Sequence, residues 1–202
     1  MTRVPSAAVP VPRLIVLNGP PGCGKSTLAR RYVEDHPLAL DLDIDRIRDL
    51  VGRWRDHAGA AGLLARTVAL AAARAHLAGG HDVIIPQFLG RADFIVQAEG
   101  VARDTGATFH EMVLLDSREN ALRRFAERSR TSTDPAHLDA QRMLERHGGA
   151  AELAAMYDRL LAVVATRPAT RVVRSEHGRV DEAYRELLAC LTRGQPDPAG
   201  RP

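Results

Sequence analysis

The sequence predicts an α/β fold, a five-stranded parallel sheet with helices on both faces. Three observations carry that prediction. Short, continuously apolar runs at Leu14–Leu17, Val83–Ile85 and Met112–Leu115 read as strands covered on both sides. They alternate with segments of helical periodicity, as right-handed crossover connections require. The first run feeds into Asn18-Gly19-Pro20-Pro21-Gly22-Cys23-Gly24-Lys25-Ser26-Thr27, where Gly19 to Ser26 match G-x-x-x-x-G-K-[ST], a phosphate-binding strand–loop–helix pattern.

Taken in order, Leu14–Leu17 is the first strand, and the helix that begins at the loop ends near Asp35, before Pro37. Leu38–Leu42 is the second strand, running into the acidic cluster Asp41-Leu42-Asp43-Ile44-Asp45, with a helical turn or two over Arg46–Val51. The Ala-rich segment Gly59–Ala78, with Leu63, Leu64, Val68, Leu70 and Leu77, reads as a well-buried helix closed by Gly79-Gly80. Val83–Ile85 forms the third strand, stopped by Pro86, and a helix over Arg91–Thr105 ends at Gly106. Thr108–Leu115 is the fourth strand, after which Ser117 caps a helix from Glu119 to about Arg130. Asp134-Pro135 restarts a helix to His147, Gly148-Gly149 breaks it, and Ala150–Thr166 gives another. Arg171–Val173 is the last strand and Val180–Leu191 the last helix.

At 202 residues and 45% hydrophobic content the chain can bury one sizeable core, so one domain is expected over 13–192, with a lid at about 128–148. Prolines at 5, 10 and 12 and the lack of a long apolar core make 1–12 a disordered lead-in, neither signal peptide nor membrane span; 193–202 reads as a disordered tail. Cys23 and Cys190 form no disulfide framework or metal pattern, which suits a reducing cytoplasm. A net charge of +3 permits nucleic acid without indicating it. His57, His76, His81, His110, His137, His147 and His177 lack metal-ligand spacing, so no zinc site is expected.

In the loop, glycines let backbone N–H groups approach phosphate, Lys25 reaches the outer phosphates and Ser26 can ligate Mg²⁺. Among 28 lysines and arginines, Lys25 is the single lysine. A composition that uses arginine everywhere else keeps a compact, flexible ammonium at this one place. A Gly-Pro turn capping an ordinary helix would leave that coincidence unexplained. The acids Asp41, Asp43 and Asp45 fall at a strand's carboxyl end, where a parallel sheet binds ligands. A carboxylate there can orient an acceptor hydroxyl and take its proton, and a second can hold a Mg²⁺ water. Capping of the following helix is the competing reading, preferred for Asp41.

With loop and acids together, most of residues 13–190 resembles, at motif level, the small P-loop kinases of the group that holds chloramphenicol phosphotransferases, polynucleotide 5′-kinases, gluconate and adenylylsulfate kinases and zeta-type toxins. The resemblance implies a P-loop NTPase fold with a helical lid, ATP and Mg²⁺ as cofactors, and a hydroxyl acceptor. It places Asp45 as the base, and Lys25 with Gly19, Gly22, Cys23, Gly24, Ser26 and Thr27 around the phosphates. Ser26 and Asp43 fall on the metal side, and Asp43 and Arg48 toward the acceptor. Arg124, Arg128 and Arg130 resemble lid arginines that would steady the transferred phosphoryl group, with Arg128 assigned to catalysis. Arg174–Gly178 sits where relatives enclose adenine. The chain departs from these families after its third strand, where Gln87 and Phe88 stand near the place of a metal-side Asp. Gln87 is therefore expected on the acceptor side, Arg91 falls where relatives carry a substrate-side Arg or is a solvated first-turn Arg, and Trp54 either walls that pocket or packs.

Other nucleotide-loop classes fit less well. Asp116 is followed by Ser117, so the water-activating Glu of motor ATPases is missing, and a guanine-reading Asn-Lys-x-Asp needs a second lysine. Two alternatives stay open. One is a polynucleotide 5′-kinase, against which an aromatic content of 4% argues; the other is a non-catalytic ATP-binding regulator. The acceptor is unread, although residues 46–64 and 86–95 are expected to line its pocket.

Overall fold

In the computed structural model, residues 10–131, 141, 144–145, 148–176 and 178–192 are described, apart from the side chains of 124 and 128–131. Five parallel strands, β1 (Arg13–Asn18), β2 (Leu40–Asp41), β3 (Val83–Pro86), β4 (Thr108–Leu115) and β5 (Arg171–Arg174), form one sheet in the order β2-β3-β1-β4-β5. The helices are α1 (Lys25–Asp35), α2 (Ile44–Asp49), α3 (Ala58–Ala78), α4 (Asp93–Thr105), α5 (Arg118–Thr131), α6 (Ala150–Ala165) and α7 (Val180–Thr192).

Alternation along β1 explains the two-sided cover. Leu14 and Val16 join a core with α3 and α4, whereas Ile15 and Leu17 join the other with Leu28, Ala29 and Tyr32 of α1 and Ala183, Tyr184 and Leu187 of α7. All four β1 residues are fully buried. Each contributes about 1.5–3 kcal/mol of transfer free energy, which is why the run is apolar at every position rather than at every second one. A third, smaller cluster of Phe125, Leu144 and Leu153 ties α5 to α6.

Several expectations are corrected. β2 spans only Leu40–Asp41: Leu38 has φ 66°, and Ala39 N–H bonds the His36 carbonyl, so the chain is still turning there. α2 begins at Ile44, before the expected Arg46, because the Asp43 carboxylate caps it. A 3₁₀ turn at Trp54–His57, not foreseen, leads into α3. On α3 only two of the five expected large residues, Leu70 and Leu77, pack on the core. Ala61, Ala65, Ala69, Ala73 and Leu77 face the core at four-residue spacing, while Leu63, Leu64 and Val68 are 67%, 50% and 45% exposed. Small side chains over most of the inner face let the helix lie close, while Leu63, Leu64 and Val68 fall outside. β3 ends at Pro86 as expected but includes it, paired with Leu17, and α4 starts at Asp93, two residues after Arg91. The expected helix from Asp134 to His147 lies largely outside the described residues, as does most of the lid; so do the lead-in to residue 9 and the tail from 193.

Candidate active site

Because β1 lies between β3 and β4, the loop that leaves it sits at the middle of the sheet's carboxyl edge. Gly19 has φ 155°, and a Cβ there would meet Cys23 Sγ at 2.7 Å and the Leu114 carbonyl at 2.9 Å, so the sharp exit admits only glycine. Gly22 (φ 78°) passes Phe125 of α5, whose Cα would lie 3.7 Å from an added Cβ. Gly24 caps α1 in the left-handed conformation and offers no side chain to its first turn. The first amides of α1 and the positive end of its dipole are left for an anion.

Lys25 curls back over the loop, its Nζ donating to the carbonyls of Gly19 at 2.8 Å and Pro20 at 2.9 Å, with Cys23 Sγ 3.8 Å away. The ammonium is thereby held across the loop. Ser26 and Thr27 are exposed on the first turn, and no hydrogen bond engages their hydroxyls among the described residues. Cys23 is buried against the α1 side of the sheet, so only its backbone belongs to the loop surface. That backbone is pinned: Ser175, just after β5, donates its hydroxyl to the Cys23 carbonyl at 2.5 Å.

Beyond β3, Gln87 N–H donates to the Leu17 carbonyl at 3.2 Å, while Gln87 Oε1 is buried without a hydrogen-bond partner. Arg91 is exposed and forms no ion pair among the described residues.

The acids divide into different jobs. Asp41 lies on β2 with Oδ1 buried and unpartnered; burial, and then the charge of Asp43, push its carboxyl above the usual carboxylate value. Capping falls to Asp43, not to Asp41: its Oδ1 accepts from Asp45 N–H at 2.9 Å. Burial first and Asp45 second push Asp43 up, against the two backbone donors of the cap. Asp45, in the first turn of α2, pairs with Arg48 at 2.8 Å. Arg48 in turn lies 4.2 Å over the Trp54 ring, with Asp49 at 4.0 Å and its Nε buried and unpartnered. Arg55 stacks on the same ring at 4.5 Å. Trp54 is 8% exposed, so it is a packing residue that anchors two guanidinium groups rather than an open wall.

The strand order places these parts side by side. β2, which leads to the acids, is two strands from β1, about 10 Å at ordinary strand spacing, and Gln87 leaves the strand between them. The expected contributions of Arg124, Arg128 and Arg130 fall on side chains outside the described ones. Sequence reasoning gave no role to Asn18, and placed Ser175 only within the segment 174–178 set against adenine, missing its bond to the phosphate loop. Asn18 is 2% exposed: it accepts from Gly19 N–H and Leu89 N–H, both at 2.8 Å, and donates to the Leu89 carbonyl at 3.0 Å. The available signal was a polar residue between a buried strand and a glycine.

No three His, Cys, Asp or Glu side chains gather into a metal site among the described residues. The donor set nevertheless fits the cation that accompanies nucleotides. The exposed hydroxyl of Ser26 is a hard oxygen ligand of the kind Mg²⁺ takes while keeping most of its waters. The open first turn of α1 likewise fits phosphate. No helix among the described residues is long and apolar enough to cross a membrane.

Among solved structures, a gluconokinase from Sinorhizobium meliloti 1021 superposes with a TM-score of 0.59 at 19% identity over 91% of this chain and 93% of its own. The Deinococcus radiodurans tunicamycin resistance protein gives 0.58 at 14% identity over 90% and 96%. The Pnkp1/Rnl/Hen1 RNA repair complex gives 0.57 at 17% identity, over 81% of this chain and 49% of that one. At such identities the likeness concerns the fold. No curated protein matches in sequence. Residues 14–153, from the start of β1 into α6, match the family model described as an AAA domain. Spanning the phosphate loop, the acidic cluster and four of the five strands, that match makes the chain a member of the AAA domain family, with the fold of P-loop kinases.

Proposed function

We propose that the protein is an ATP-dependent phosphotransferase that moves the γ-phosphoryl group to a hydroxyl of a small molecule. The observation that carries this reading is the pairing of an anion-ready loop with an aspartate fixed by its own arginine two strands away. An ATP-binding regulator needs the first and has no use for the second. That solved structures of similar fold include a gluconokinase and a tunicamycin resistance protein supports a small acceptor. The polynucleotide alternative is disfavoured because Trp54, the one tryptophan, is already occupied by Arg48 and Arg55. Cys23 and Cys190, both buried, suit a cytoplasmic setting.

In this reading the amides at the start of α1 bind the phosphates, and Lys25 exchanges its hold on the Gly19 and Pro20 carbonyls for the outer phosphate oxygens. Ser26 and Asp43 are the residues that would hold Mg²⁺, which would supply charge neutralisation at the phosphates. Asp45 orients the acceptor hydroxyl and takes its proton as the new O–P bond forms and the bond to the β-phosphate bridge breaks, releasing ADP. Arg48 holds the Asp45 carboxylate in place, Gln87 and Arg91 face the acceptor, and the lid arginines exclude water.

Incubation with ATP, Mg²⁺ and a pooled library of hydroxyl-bearing metabolites and antibiotics, read by mass spectrometry, identifies the acceptor as the compound that gains one phosphoryl group. Asp45→Asn is then expected to lower transfer about 10²–10⁴-fold with ATP affinity kept. Loss of ATP binding in step with transfer would overturn the role given to Asp45.

A further inference from the structure

The phosphate loop is held from two sides by contacts that differ in what they join. On the β5 side the Ser175 hydroxyl reaches the Cys23 carbonyl, in the middle of the loop. On the β3 side the carboxamide of Asn18 reaches the other way, out of β1 and into the loop that follows β3. Its oxygen accepts from Leu89 N–H and its nitrogen donates to the Leu89 carbonyl, so one side chain pairs with both backbone groups of one residue as a neighbouring strand would. The same oxygen accepts from Gly19 N–H, which takes that amide out of the set open to phosphate. Together with Gln87 N–H on the Leu17 carbonyl, this fastens the 87–89 segment to the root of the phosphate loop beyond Leu17 and Pro86, the last pair of the β1–β3 ladder. Asn18 is 2% exposed and every contact is within hydrogen-bond range, so the clamp is buried and shielded from competing water. The fastened segment carries Gln87, whose buried Oε1 has no partner.

We propose that Asn18 is a positioning residue that transmits nucleotide binding to the acceptor-side loop 87–91. When phosphate orders the loop after Gly19, the shared carboxamide oxygen constrains Leu89 as well, and Gln87 and Arg91 are set at a fixed distance from the transferred group. Ser175 holds the phosphate loop independently of Asn18, so removing the carboxamide uncouples the acceptor loop without dismantling the nucleotide site. This rests on the nucleotide-binding part of the proposed function, and on no particular acceptor.

Hydrogen exchange with the probe AMPPNP and Mg²⁺ tests it. In the wild type, saturating AMPPNP is expected to slow exchange of the 87–91 amides by about 10-fold, within the 5–150-fold range of coupled sites. In Asn18→Ala that response is expected to vanish while the Kd for AMPPNP, measured by calorimetry, stays within about 3-fold, since the coupling free energy is lost and the loop's own contacts are not. Asn18→Ser, smaller and still polar, serves if the alanine variant does not fold. A merely structural role would lower stability and leave the ligand response of the loop intact. Retained protection in either variant therefore overturns the proposal, as does wild type that binds AMPPNP with no protection of 87–91. Loss of affinity in step with loss of protection also overturns it, by making Asn18 part of the nucleotide site. If the wild type itself fails to bind AMPPNP, the nucleotide reading falls and takes this one with it.

Discussion

His110 shows what a single buried side chain does to the stability of this sheet. It lies on β4, 9% exposed, with its Nε2 3.1 Å from the Thr108 hydroxyl. Burial first, then the guanidinium groups of Arg13 and Arg171, lower its pKa from 6.5 to about 4, against the pull of Asp82. A depressed histidine pKa means that the unfolded chain takes the proton first as pH falls. The contribution of neutral His110 is therefore complete above pH 6.5 and is lost progressively down to about pH 4. Its full size is on the order of 3 kcal/mol. Replacing it by a neutral isostere, His110→Asn, is expected to flatten the wild-type loss of stability across that window by about 2–3 kcal/mol, whatever offset the substitution adds at pH 7.5. Urea unfolding at pH 7.5, 5.5 and 4.5 reads the slope. An unchanged slope would assign acid sensitivity to other groups.

At the scale of elements, the start of α2 compresses a cap, an ion pair and an aromatic anchor into a few residues. Asp43 caps it, Asp45 pairs one turn on with Arg48, and Arg48 rests on Trp54. The two roles given to Asp43 separate by substitution. Asp43→Ala removes the acceptor for Asp45 N–H and is expected to cost about 1 kcal/mol in urea unfolding. Asp43→Asn keeps an acceptor oxygen, so stability is expected to stay within about 0.5 kcal/mol, while the Mg²⁺ concentration needed for half-maximal ATP turnover rises. An asparagine variant with wild-type Mg²⁺ dependence would leave Asp43 a cap and nothing more. The helix itself was legible, because acids before an apolar-charged run signal a helix start; which acid does the capping was not, since three alternate at equal spacing and only the backbone turn selects one. β2 was over-extended for a related reason. Leu38 and Ala39 are apolar, but the turn after α1 puts Leu38 at positive φ and 68% exposed. On α3 hydrophobicity found the helix and placed Leu70 and Leu77 correctly, but misplaced Leu63, Leu64 and Val68, because close approach favours alanine inside. Lys25 stood out in the sequence through composition, whereas Asn18 did not. Its partner Leu89 is 71 residues away, and no local pattern announces a bond to a backbone that the sheet brings alongside.

Across the whole molecule the strand order converts those separate parts into one edge. Placing β1 between β3 and β4 sets the phosphate loop at the centre of the sheet, with the acids on one side and Ser175 on the other. All of these belong to the folded chain and none exists in the unfolded one, so a nucleotide that binds here must stabilise the fold as a unit. At a free concentration one hundred times Kd the gain is about 2.7 kcal/mol. For a chain of 202 residues, each kcal/mol raises Tm by about 2–4 °C, so ATP with Mg²⁺ at that concentration is expected to shift the melting temperature by about 5–10 °C. Lys25→Ala is expected to abolish most of the shift, because it removes the ammonium that the loop carbonyls hold ready. Asp45→Asn is expected to keep it, because Asp45 lies on α2, off the loop. Thermal melts of the three proteins with ATP, with ATP and Mg²⁺, and with neither separate these outcomes. A wild type whose Tm does not move, or a Lys25→Ala variant that shifts as the wild type does, would mean that the loop at the centre of the edge does not hold the triphosphate.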